Sequence, residues 1–149
     1  MRLKERLRED LTQAIRSRDE LTSGTIRMVL SAITNEEVSG KTARELTEPE
    51  VVTVLSKEAK KRREAAEAFD AGARPEKAAL ERAEGEVIAK YLPSQLSDVE
   101  LAQLIREAIA ETGAAGPASM GLVMKLLSPK IAGRADGAIV SAAVRAALA

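Results

Sequence analysis

Residues 47–72 read TEPEVVTVLSKEAKKRREAAEAFDAG. Thr47 can accept a hydrogen bond from the amide three residues on, and Glu50 can reach back to the amide of Thr47. Pro49 falls in the first turn, where a missing amide leaves nothing unpaired. Gly72 closes the run, so the stretch predicts one long helix ending at Ala71. No strand-type alternation competes with helical spacing anywhere in the chain, and the fold class expected is all-α.

Upstream, Leu3, Leu7, Leu11, Ala14 and Ile15 recur at helical spacing and predict a first helix from about Leu3 to Ser17. Asp19 is the expected cap of a second helix, with the stripe Ile26, Val29, Leu30, Ile33 and Val38, ending at Gly40. Downstream, Pro75 opens a fourth helix carrying Leu80, Ala83, Val87, Ile88 and Tyr91, and Pro93 ends it. Ser97-Asp98-Val99-Glu100 repeats the reciprocal cap ahead of Leu101, Leu104, Ile105, Ala108 and Ile109. Thr112-Gly113 stops that helix, and a loop runs through Pro117. Ser119 is expected to start a short helix through Leu127, broken by Pro129. Gly133–Gly137 forms a turn, with Asp136 capping a last helix whose buried side is Ile139, Val140, Ala143, Val144 and Ala147. The expected architecture is an N-terminal four-helix unit over 1–93 and a C-terminal three-helix tail domain over 97–149. Pro93 to Leu96 is the expected hinge between them.

Composition narrows the function. The 149 residues contain 23 Lys and Arg against 23 Asp and Glu, so formal net charge is zero. A dedicated nucleic-acid binder is usually basic, so any RNA contact has to come from local patches, and DNA is not an expected partner. With no Cys and no His, thiol chemistry, disulfides, the commonest general base and the commonest metal ligand all disappear together. The charged opening Met1-Arg2-Leu3-Lys4-Glu5-Arg6 is unlike a signal peptide or membrane span, and a cytoplasmic location is expected. Phe69 and Tyr91 are the only aromatic residues; both fall on apolar stripes and read as core, which leaves RNA stacking unsupported.

Two groups of cations stand out. Lys57, Lys60, Lys61, Arg62 and Arg63 crowd the long helix. Pairs at i to i+4, namely Glu58 with Arg62, Lys60 with Glu64 and Arg63 with Glu67, would make this a solvated face. They leave Lys57 and Lys61, four apart and like-charged, as candidates for phosphate contact. In the tail, Lys125, Lys130 and Arg134 flank one loop. Helix breaking by Pro129, a left-handed Gly133 and the Asp136 cap explain the loop's other residues but not three cations gathered there. Gly121 inside a short helix suggests close helix packing, and Met120 and Met124 read as core filler. Glu36-Glu37 and Glu84-Gly85-Glu86 read as solvated surface. No catalytic residue, metal ligand set, phosphate loop or cofactor is expected.

Three stretches resemble the GatB/YqeY family. One is Arg27 to Val38; another runs from Leu46 through Lys57–Arg62 to Phe69 and Gly72-Ala73-Arg74. The third joins Tyr91–Leu96 to Met120-Gly121, Val123-Met124-Lys125, Pro129-Lys130 and Gly133–Gly137. The resemblance spans essentially the whole chain. It implies similarity to the C-terminal helical and tail region of GatB, a subunit of the glutamine-dependent amidotransferase that repairs misacylated tRNA, whose tail contacts tRNA away from the reaction. The GatB catalytic cradle has no counterpart in this chain.

The leading expectation is therefore a non-catalytic, tRNA-associated helical module, with Lys125, Lys130 and Arg134 as first RNA-binding candidates and Lys57 and Lys61 as second. A protein-interaction adaptor without RNA affinity is the alternative. A third is carbon–nitrogen ligase activity with glutamine as nitrogen donor, as part of an amidotransferase complex.

Overall fold

A computed structural model describes residues 1–149. Its regular structure is seven α-helices and one short 3-10 turn, with no strand: α1 (Leu3–Arg16), α2 (Glu20–Glu37), α3 (Glu48–Ala71), α4 (Pro75–Ala89), α5 (Asp98–Thr112), the 3-10 turn Pro117–Ser119, α6 (Met120–Ile131) and α7 (Gly137–Leu148). The chain divides into two compact units, Met1–Leu92 and Pro93–Ala149.

Local chemistry fixes most helix starts. Asp19 accepts from the Thr22 amide at 3.1 Å. Thr47 and Glu50 cap each other's amides at 3.4 and 2.8 Å, and Ser97 and Glu100 do the same at 3.1 and 3.3 Å. Asp136 accepts from the Ala138 amide at 2.9 Å. Each such cap contributes about 1 kcal/mol by pairing amides that the first turn leaves free.

Several ends depart from expectation. α2 stops at Glu37, with Val38 as its cap, short of Gly40. At the end of α3, Gly72 keeps an ordinary φ of −85°, and the left-handed residue is Ala73 at φ 57°. Ser119 makes no cap, because its hydroxyl donates to the Ala115 carbonyl at 3.1 Å. Pro129 does not break α6, which continues to Ile131. The ring removes the amide that would reach the Lys125 carbonyl, yet burial of Ile131 and the Ala132 amide, bonded to Ser128 at 3.1 Å, hold the last turn. Gly121 is not a close-packing site either: a Cβ placed there meets nothing within 4 Å.

The core of the first unit is Leu7, Ile26, Val29, Ile33, Leu46, Val51, Val54, Leu55, Ala59, Val87, Ile88 and Tyr91. The core of the second is Leu101, Ile105, Ala108, Val123, Leu127, Ile131, Val140, Val144 and Leu148. Ile15, Leu80 and Ile139, expected on buried stripes, are exposed, as is Ala147, and Phe69 is half-buried outside the core. A helix only three or four turns long presents one ridge to its neighbours, so residues beside that ridge stay outside even when apolar.

The expected hinge is tied down on one side. The Leu96 amide donates to the Arg134 carbonyl at 2.8 Å, Gln95 donates to the Gly133 carbonyl at 2.9 Å, and Arg134 Nε donates to the Ser94 carbonyl at 2.9 Å. Residues 94–96 are thus part of the second unit's framework.

Candidate functional site

The second unit carries an open groove of about 360 Å³ between α5 and α7. Its lining is Leu101, Ala102, Ile105, Ile139, Ala143 and Ala147, with Asp98 and Arg106 as the charged members. Ile139 is 58% exposed. α7 creates this surface because it is apolar on two adjacent ridges. Val140, Val144 and Leu148 are buried in the core, while Ile139, Ala143 and Ala147, at the same four-residue spacing, face the groove. The sequence holds the signal: Arg145 is the single charged residue of α7, and a helix apolar nearly all round needs cover on more than one side. Of the three, Ile139 and Ala147 are exposed rather than buried, whereas Ala143 is half-buried and packs against the core as well as lining the groove.

The tail cations do not form one cluster on α6. Because the helix continues through Pro129, Lys125 and Lys130 are five residues apart on one cylinder, about 140° around the axis and about 7.5 Å along it. Both are exposed. Arg134 is half-buried and spends its Nε on the Ser94 carbonyl, leaving its terminal nitrogens for other work. Charge is nonetheless segregated here. Residues 112–135 contain Lys125, Lys130 and Arg134 and no carboxylate, whereas α5 carries Asp98, Glu100, Glu107 and Glu111 against Arg106.

On α3, Lys61 is compensated after all: it donates to Glu58 Oε1 at 3.2 Å, although its side chain remains 71% exposed. Lys60 lies 3.9 Å from Glu64. Lys57 is exposed and takes part in no ion pair. Of the second-rank candidates, Lys57 alone fits the expectation of an uncompensated cation.

What looked like a surface pair on α3 is a buried junction. Arg62 is 6% exposed and Glu58 9%. Arg62 Nη1 donates to Glu58 Oε2 at 2.6 Å and to the Glu58 carbonyl at 3.0 Å. Arg62 Nη2 approaches Met28 Sδ of α2 at 3.7 Å. Arg62 Nε lies 3.4 Å from Glu84 Oε2 of α4, a charge contact whose angle leaves Nε without a hydrogen bond. Burial pushes the Glu58 carboxyl up, but the hydrogen bonds from Arg62 and Lys61 outweigh it and hold the group below the usual carboxylate range. Glu84, expected in solvent, is thereby enclosed.

Glu37 is similarly enclosed, contrary to expectation. It accepts from Lys4 Nζ at 2.8 Å and from the Leu46 amide at 3.1 Å, and these bonds, Lys4 first, lower its carboxyl. Arg44 forks onto Glu50 at 2.8 and 2.9 Å, and with the Thr47 amide brings Glu50 down to about 2. Tyr91 donates to Asp10 at 2.5 Å under the Arg6 guanidinium, which lies 4.7 Å from the ring centre. Burial, then the Asp10 carboxylate, raises the phenol above its ordinary value. Each of these carboxylates is held by a named partner within the unit, and no group of three or more Asp and Glu converges as metal ligands.

Capped helices around two small aliphatic cores, with no strand, define an all-helical protein of two compact units. The chain belongs to the YqeY-like protein family, whose model matches residues 4–148. It is also 36% identical over 88 residues to the altered inheritance of mitochondria protein 41, mitochondrial, of Clavispora lusitaniae. That match takes in 59% of this chain and 50% of the relative, so it spans about half the relative's length. No helix is long and apolar enough to cross a membrane.

Proposed function

We propose that this protein is a non-catalytic, tRNA-associated helical module, similar in role to the tail region of the GatB amidotransferase subunit. The observation that supports it is the carboxylate-free segment 112–135, where Lys125, Lys130 and Arg134 stand in a chain of zero formal charge. Such a segment attracts phosphates locally without the long-range steering of a basic protein, so affinity is modest, on the order of micromolar at low salt. Because Lys125 and Lys130 point about 140° apart, they meet different phosphates rather than gripping one. The relative's name places that protein in mitochondria.

A gel-shift titration with unfractionated tRNA at about 50 and about 200 mM salt tests the reading, since phosphate contacts weaken steeply between those conditions. Lys125→Ala with Lys130→Ala abolishes the shift, and Lys57→Ala with Lys61→Ala weakens it less. Arg134 is unsuited to this test, because its removal also frees the Ser94 carbonyl. If the parent protein binds no tRNA at low salt, the reading fails. A protein-interaction adaptor then takes its place, a role favoured by the open α5–α7 groove.

A further inference from the structure

The groove on the second unit has a charge arrangement that selects its occupant. Its floor and walls are apolar, and its two charged lining residues, Asp98 and Arg106, lie on the same helix. They are eight residues apart, about 12 Å along the axis of α5. Both are exposed, and the structure gives neither an ion-pair partner: Arg106 donates to the neutral Gln103 at 2.6 Å.

We propose that the α5–α7 face is a self-association surface, and that its occupant is the same face of a second copy of this chain. Pairing through a twofold axis across the groove runs the two α5 helices antiparallel. Asp98 of each copy then meets Arg106 of the other, so one surface supplies both halves of two ion pairs. An unrelated partner helix would need its own cation and anion at that spacing; the chain already carries them. The Ile139, Ala143 and Ala147 ridge follows the i, i+4 rule, and alanines at two of its three positions let helices approach closely. Zero net charge removes the repulsion that opposes association of like molecules. Few residues line the face, far short of the roughly 20–30 per side of a standard interface, so the dimer is weak and exchanges with monomer.

Sedimentation velocity across a concentration series reads the equilibrium in the full-length protein. The parent shows a concentration-dependent shift from monomer to dimer, and Ile139→Glu abolishes it. Asp98→Arg and Arg106→Glu each convert two attractive pairs into two repulsive ones, and each weakens association by about tenfold or more. Mixing these two single variants in equal amounts restores the dimer, because each mixed pair again places Arg opposite a carboxylate at both ends. Circular dichroism of each variant checks that helix content is kept. A parent that stays monomeric at the highest concentration reached, a dimer indifferent to Ile139→Glu, or a mixture no more associated than its separate components overturns the proposal. None of these outcomes depends on whether tRNA binds.

Discussion

Replacing Arg62 with Met tests whether the α2–α3–α4 junction is held by charge. Arg62 and Glu58 are both buried, and the side chain of Glu84 is 17% exposed. Met matches the length of the Arg stem but removes the guanidinium, so Glu58 loses its 2.6 Å bond and Glu84 loses the counter-charge 3.4 Å away. Stranding a buried carboxylate costs about 3–5 kcal/mol. Lys61 still reaches Glu58 at 3.2 Å from the solvent side, which brings the expected loss to the lower end, about 3 kcal/mol. Neutralising both acids in the same background, with Glu58→Gln and Glu84→Gln, removes the stranded charges and recovers more than half of that loss. Urea unfolding at neutral pH measures both variants. Tyr91 is the only tyrosine and lies in the first unit's core, so its fluorescence follows that unit while circular dichroism follows all helices. A loss under about 1 kcal/mol for Arg62→Met, or a triple variant no more stable than the single, refutes the reasoning.

Other perturbations have equally definite signs. Gly121→Ala stabilises by up to about 1 kcal/mol because the new methyl meets open space, whereas Gly113→Ala destabilises by about 1 kcal/mol because its φ is 66°; thermal unfolding separates them. Asp19, Glu37, Glu50, Glu58 and Glu100 all have carboxyls held below their ordinary values of 3.8 and 4.5. A lowered folded-state value means that the contribution is present above the unfolded value and lost as pH falls through the folded one. Stability therefore declines below about pH 4.5 and keeps falling towards pH 2, as acid titration followed by circular dichroism will show. Tyr91 has the opposite sign: its stabilisation is full below 10 and is lost as pH rises beyond that. On the proposed non-catalytic reading, purified protein is expected to release no ammonia from glutamine and to hydrolyse no ATP above background. Turnover that survives purification and vanishes on one carboxylate or Ser substitution overturns the non-catalytic reading.

The helices themselves were legible in the residue order because their signals are local. Thr47 with Glu50, Ser97 with Glu100, Asp19 and Asp136 act within three residues of themselves, and Gly113 supplies its own backbone conformation. Local hydrogen bonds are decided before any helix meets another. The match to the YqeY-like family over residues 4–148 was legible for a related reason: several short motifs keep their order along the chain.

Burial is different, because it depends on which ridge of a helix a distant neighbour covers. Arg62 and Glu58 read as a surface pair until α2 and α4 close over them, and the residue that completes the junction, Glu84, is 22 positions away from Arg62. Pro129 read as a break, yet the helix carries on because Ile131 is buried beyond it. That continuation separates Lys125 from Lys130 around the α6 axis. Ile139 and Val140 are adjacent and equally apolar, but packing against the second unit's core buries only Val140. Composition could supply apolar residues on both ridges of α7; only tertiary contact decides which ridge is core and which is left facing solvent, because a helix turns 100° per residue and one neighbour covers one side.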